Sequence, residues 1–260
     1  MKGVIFVWFM LSAFSVNSLS IQSFLKDLNP LPPTTQTDET KYITINIRIH
    51  VDNKLLESLK TTYEWKNDTQ KKLAQILLKD TSELFSDPIL QAKVKFNPLS
   101  ESRLVVAQPF FYDGPLEKYY DAYCNWQGGL KTKRRESYYS VLLTERKVDD
   151  AYGYASRGGI CSRLHSCTVI QWIPEKLDYL LAKSIGLSIG MLPASEGKTC
   201  SPVGIMDNLT KTDGHVWTKC NAEEMRNFLQ TDAAKCLKSG QHHLVSTDEA
   251  SDPVNVALKK

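Results

Sequence analysis

An α/β fold is predicted by three observations. Residues 42–52 alternate strictly: Ile43, Ile45, Ile47, Ile49 and Val51 fall on one side, Thr44, Asn46, Arg48 and His50 on the other. That is the two-residue period of a half-buried strand built from strong β formers. Leu73, Ile76, Leu77, Asp80 and Leu84 then recur at helical spacing, with Lys71, Lys72 and Lys79 outside. Strand-like and helix-like runs go on alternating through the first 170 residues, the order expected of a largely parallel sheet packed against helices. Beyond the first 20 residues about 240 remain, enough for one sizeable domain with a proper core.

In chain order, Met1-Lys2 gives a positive start, Val4 to Phe14 is apolar, and Ser15 to Ser20 offers small residues. Residues 1–20 therefore read as a secretion signal. The apolar run is about 11 residues, short of the roughly 20 that span a bilayer. Residues 21–41, with Pro30, Pro32 and Pro33, read as a disordered leader. His50 lies on the polar side of the first strand and is expected to be solvated. Leu55, Leu56 and Leu59 suggest a short helix. Asp68 and Thr69 are N-cap candidates for a helix that runs to Phe85 and stops before Asp87-Pro88. Asn67 opens an Asn-Asp-Thr glycosylation acceptor at its start.

Ala92–Phe96 and Arg103–Ala107 read as strands, and Leu116–Tyr123 as a helix ended by Cys124 to Gln127. The basic run Lys131 to Arg135 lacks interleaved aromatics, so a solvated loop is expected and not a nucleic-acid patch. Tyr138–Thr144 reads as an apolar buried strand and Ser166–Ile170 as a short edge strand. Asp178–Ser188 is a central helix, and Ala222–Leu229 a last one with Met225, Phe228 and Leu229 inward. Residues 239–260 read as a polar, disordered tail.

The formal charge of +3 is mild and points to no nucleic-acid partner, and no later stretch is long and apolar enough to span a membrane. Six cysteines, Cys124, Cys161, Cys167, Cys200, Cys220 and Cys236, suggest three disulfides in an exported chain. Six allow 15 pairings, so their spacing leaves the connectivity open. No C-x-x-C pair exists, which argues against a zinc finger.

Several spaced motifs agree with one another. They are Cys124-x-Trp126-Gln127, Leu142-Leu143-Thr144, Gly153-x-Ala155, Gly159-Ile160-Cys161 and Ser166-Cys167. Further on come Gly204-Ile205-Met206, Trp217-Thr218-Lys219-Cys220, Phe228-Leu229 and Cys236-Leu237. In this order the chain resembles the adamalysin (reprolysin) branch of the metzincins, including the ADAM and ADAMTS metalloprotease domains. The match runs from Tyr42 to Leu237, and the domain is placed at 42–238. Ser137 and Tyr138 depart from the family's usual His-Asp.

The resemblance implies a five-stranded mixed sheet with one antiparallel edge strand, long helices and a small irregular C-terminal subdomain. It implies the pairings Cys124–Cys167, Cys161–Cys236 and Cys200–Cys220, and makes Met206 the Met-turn residue. Asn208, just beyond it, begins a second glycosylation acceptor.

The same resemblance places the family's H-E-x-x-H-x-x-G-x-x-H on residues 183–193. Gly190 keeps its position. Lys183, Ser184, Leu187 and Pro193 replace the first His, the Glu base, the second His and the third His. Catalytic zinc needs three protein ligands with free electron pairs. Leu187 and Pro193 offer none, a lysine ammonium repels a cation, and a lone serine is a poor base. His165, His215, His242 and His243 show no ligand spacing, and no G-x-S-x-G elbow exists. The expectation is no zinc, no cofactor and no proteolysis.

The expected function is that of a secreted pseudoprotease binding an extracellular peptide or protein, with Thr168, Val169 and Ile170 as a candidate edge for strand addition. Related families occur in venoms and in arthropod saliva, so the resemblance points toward such a component. The alternative is a divergent, active zinc metalloendopeptidase; a structural carrier is the third reading.

Overall fold

The computed structural model describes residues 42–62, 64–65, 69–99, 115–146, 151–193, 204–207, 216–238 and 254–259. All belong to one unit, Thr40–Lys260. Its centre is a sheet of six strands: β1 (Tyr42–Val51), β2 (Lys93–Pro98), β3 (Tyr139–Thr144), β4 (Ala151–Ser156), β5 (Cys167–Gln171) and β6 (Asn255–Lys259). Their order is β2-β1-β3-β5-β4-β6. The pairs β1–β2, β1–β3 and β3–β5 are parallel. β4 runs antiparallel to β5, and β6 antiparallel to β4.

The helices are α1 (Asn53–Thr61), α2 (Thr69–Leu84), α3 (Leu116–Arg134), α4 (Leu177–Ser188), α5 (Lys219–Gln230) and α6 (Lys235–Lys238). Successive strand residues point to opposite faces, and both faces are covered. Val141 and Leu143 of β3 join the core that holds α2 and α4, while Leu142 joins Tyr119, Tyr120 and Tyr123 of α3.

This double covering corrects three expectations. His50 is buried, its Nδ1 2.8 Å from the Tyr123 hydroxyl and its ring edge-on to Tyr123 and Trp126. On the polar side of β1 Arg48 and His50 are buried, His50 against α3, while Thr44 and Asn46 are half-buried. Nor does α3 stop at Cys124–Gln127; it continues to Arg134 and ends on Arg135 in a left-handed conformation. The basic run is therefore its last turn, where positive charge suits the helix C-terminus. Lys131 points inward and is fully buried.

Two further corrections concern the sheet. β5, expected at an edge, lies between β3 and β4 and bonds to both. The sheet has six strands where five were expected, because the supposedly disordered tail supplies β6. The antiparallel strand β4 is thus covered as well. The predicted strand Arg103–Ala107 lies outside the described residues, as do the signal and leader segments.

Two bridges staple the layers: Cys124–Cys167 ties α3 to β5, and Cys161–Cys236 ties the loop before β5 to α6. Cys220 is also disulfide-bonded, and its expected partner Cys200 lies outside the described residues. Among the described residues no helix is long and apolar enough to cross a membrane.

Candidate functional site

The site is built on α4, which is apolar nearly all round and buried along its length apart from the half-buried Asp178. Such a helix belongs inside a protein. It ends at Gly190, whose φ of +89° is a left-handed value that an L side chain resists. A Cβ there would also sit 2.9 Å from the Cβ of Phe228 on α5. The Leu192 amide donates to Glu224 Oε2 at 2.9 Å, so α5 positions the segment that leads to Pro193.

The turn at 204–207 lies beneath the helix. A Cβ on Gly186 would be 3.0 Å from Met206 Sδ and 3.2 Å from Met191 Sδ and from the Trp217 ring, so the glycine allows a close approach. Met206 is buried. The Ile205 amide donates to the Val216 carbonyl at 3.0 Å, and the Trp217 indole donates to the Leu84 carbonyl at 2.8 Å. The turn is therefore held from both sides.

Lys183 reaches the same turn. Its ammonium, on a side chain 3% exposed, donates to the Asp207 carbonyl at 2.6 Å. The Tyr179 hydroxyl, one helical turn earlier, donates to the same oxygen at 2.9 Å. Burial pulls the Lys183 pKa down to about 8, the nearby Asp207 charge offsetting part of the fall. Leu187 continues this helix face and is fully buried. Pro193 is half-buried.

Ser184 looks the other way, toward the sheet. Its hydroxyl donates to the Leu180 carbonyl at 2.7 Å and lies 3.1 Å from Thr168 Oγ1. Its own carbonyl accepts from Tyr139. A fully buried hydroxyl satisfied by its own helix has no route to a substrate.

The structure thus brings Lys183, Met206 and Asp207 together and sets Ser184 apart. Tyr179 and the Asp207 carbonyl were missed by sequence reasoning. The spacing of Tyr179 from Lys183 was the available signal for the first; the second, a backbone group, left none. Thr168, Val169 and Ile170 do not form an open edge. All three are buried, and strand addition at β5 is blocked by pairing on both sides. His165 lies far along the chain, with Nδ1 3.3 Å from Ser156 Oγ. Among the described residues no three His, Cys, Asp or Glu side chains come together as a metal site. Asn67, Asn208, His215, His242 and His243 lie outside the described residues.

Residues 112–240 match the model of the reprolysin (M12B) family of zinc metalloproteases. The chain carries a reprolysin-family domain. Among its relatives is "A disintegrin and metalloproteinase with thrombospondin motifs 18" of Homo sapiens and of Mus musculus. Each is 30% identical over 129 residues, which is 45% of this chain and 11% of the relative. The Caenorhabditis elegans protein "A disintegrin and metalloproteinase with thrombospondin motifs adt-1" is 21% identical over 232 residues, 81% of this chain and 16% of its own length. The chain therefore spans between about a tenth and a sixth of the length of these reprolysin-family relatives.

Proposed function

We propose that this reprolysin-family chain is a secreted, catalytically inactive protein that acts by binding an extracellular peptide or protein. The observation that carries the reading is the Lys183 ammonium bonded to the Asp207 carbonyl, at the position that the family resemblance gives to the first zinc-binding histidine. A ligand must bring a free electron pair; this side chain brings a donor already engaged. Leu187 and Pro193 have no donor atom in their side chains, and Ser184 faces the sheet. As a donor set these four do not fit a catalytic zinc ion. No His-Glu dipeptide and no pair of histidines four residues apart occurs anywhere in the sequence.

What such a site can do is hold structure. The lysine and Tyr179 fasten the 204–207 turn to α4, a task that a metal cage would otherwise share. The apolar start of the chain and the disulfide bridges support export, since disulfides persist in oxidising compartments.

The test is elemental analysis of the purified secreted protein together with digestion of a peptide mixture, with and without chelator. The expected result is no stoichiometric zinc and no chelator-sensitive cleavage. Stoichiometric metal with cleavage that a chelator abolishes would establish the divergent active metalloendopeptidase instead.

A further inference from the structure

The basic run that ends α3 has no part in the site on α4. Lys131 turns inward, but Lys133, Arg134 and Arg135 are exposed. Their charges are not what caps the helix: the Lys131 carbonyl accepts from the Arg135 amide and, at 3.2 Å, from the Glu136 amide. Arg135 has a φ of +54°, the left-handed conformation that glycine takes at least cost after a helix. An arginine held in a strained backbone position points to a use for its side chain.

Two lysines of β2 share that side of the sheet. The parallel pairing sets Lys95 beside Thr44 and Asn97 beside Asn46. Val94 and Phe96 enter the core with Ile43 and Ile45, so Lys93 and Lys95 lie on the opposite face, the one on which α3 packs. Both lysines are exposed, and Thr44 and Asn46 beside them are half-buried. Thr44, Asn46, Ser137 and Tyr138 line one crevice, which brings the segment after α3 alongside β1. Lys95 and that segment therefore flank β1 on its two sides, about two strand spacings or ~10 Å apart. The Glu136 carboxylate accepts from Arg48 at 3.0 Å, so that pair adds no net charge. A shallow trough results. Its floor is Thr44, Asn46 and Asn97, whose Nδ2 donates to Asn46 Oδ1 at 2.9 Å, and basic side chains of β2 and of the α3 end stand along its sides.

We propose that this trough binds a sulfated polysaccharide of the extracellular space. Short runs rich in lysine and arginine serve polyanions. Cations from two elements on either side of a strand suit an extended chain with repeated sulfates better than one small anion. The Arg135 guanidinium can grip a sulfate through paired N–H groups, the lysines act as point charges, and the amides of the floor meet sugar hydroxyls. This rests on the export part of the reading above and adds a glycan to the peptide or protein partner given there.

The probe is fluorescein-labelled heparin, titrated into the full chain at physiological salt and followed by anisotropy. Saturable binding is expected, and loss of it with desulfated heparin. Arg135→Gly should weaken binding about threefold while the protein stays folded, because glycine takes this φ without strain. Lys95→Ser combined with Arg135→Gly should weaken it about tenfold. Lys71→Ser combined with Lys79→Ser removes the same charge from α2, on the other face of the sheet, and should change binding by less than about twofold. An equal loss from the α2 pair overturns the proposal, as does a charge-matched single-stranded DNA that binds as tightly as heparin. Should the Lys95→Ser, Arg135→Gly chain not fold, Arg135→Gly alone decides: unchanged binding overturns the proposal. A chain that ignores heparin refutes the trough alone; zinc content and peptide cleavage, measured on the same sample, decide the inactive reading separately.

Discussion

Among the described residues two lysines are buried, one on each of the helices that cover opposite faces of the sheet, and they live in different electrostatic company. Lys183 on α4 gives its ammonium to the Asp207 carbonyl, with the Asp207 carboxylate near enough to favour the charged form. Lys131 on α3 gives its amino group to the Ser166 carbonyl at 2.8 Å and meets the Ser166 hydroxyl at 2.5 Å, 5.0 Å from the centre of the Tyr138 ring. Its charged neighbour is Arg48, whose guanidinium sits 4.0 Å above the other part of that environment, the same Tyr138 ring. Burial first, and then the Arg48 charge, hold the Lys131 pKa well below its ordinary value. Burial is the first cause of both shifts, and the sign of the neighbouring charge sets whether the fall is deepened or partly offset. The Asp207 charge offsets part of the fall in the Lys183 pKa, whereas the Arg48 charge deepens that of Lys131.

The largest expected effect tests the Lys131 half of that contrast. Lys131→Ala should cost about 3–5 kcal/mol in urea unfolding, because it opens a cavity and strands the Ser166 groups. Lys131→Met, which fills most of the volume and removes a buried amine, should recover about half of that loss. Equal losses from the two variants would mean that the hydrogen bonds, and not the packing, dominate.

Next in size is the Lys183 half. Lys183→Ala should cost about 2–3 kcal/mol and loosen the 204–207 turn, seen as faster amide exchange at Ile205. Tyr179→Phe, which drops one of the two bonds to the same carbonyl, should cost about 1 kcal/mol. A Lys183→Ala variant with an unchanged exchange rate at Ile205 would show that the turn stands without the lysine.

The smallest effect is in pH. The folded-state pKa of Lys183, about 8, lies below its ordinary value of 10.5. Between those values the unfolded chain binds more protons than the folded one, so stability rises as pH increases from about 8 to 10.5. Lys131, shifted in the same direction, adds to the rise. Buried Tyr119, Tyr120, Tyr139 and Tyr179, whose pKa values burial raises above the ordinary 10.0, oppose the rise as pH nears 10. Melting temperatures should therefore climb from about pH 8 to about 9, with a shallower slope in Lys183→Met. A flat profile between about pH 8 and about 9 in the unaltered protein would mean that both amines stay protonated on folding.

Much of this architecture was legible in the residues. The alternating isoleucines mark β1 and the periodic leucines mark α2. The bridges Cys124–Cys167 and Cys161–Cys236 follow the pairing implied by the family resemblance. His50 and Lys131 were misread for one shared reason. Periodicity tells which residues lie on the same side of an element, and it says nothing about whether a second layer covers the other side. β5 looked like an edge because it is short, and β6 was missed because a five-residue strand carries few alternations.

By itself, then, the order of residues determined where many of the strands and helices form, which helix is the central one, and that positions 183, 184, 187 and 193 hold an amine, a hydroxyl and two hydrocarbons. These follow from local periodicity and from side-chain chemistry, which need no partner to be read. Only the folded chain decided that the Lys183 amine meets a carbonyl 24 residues away, that Lys131 is buried beside a like charge, and that the β4 edge is closed by β6. Each of those depends on groups far apart in sequence being brought within a few ångströms. Burial and charge act through space, so their outcome is fixed by packing and not by spacing along the chain.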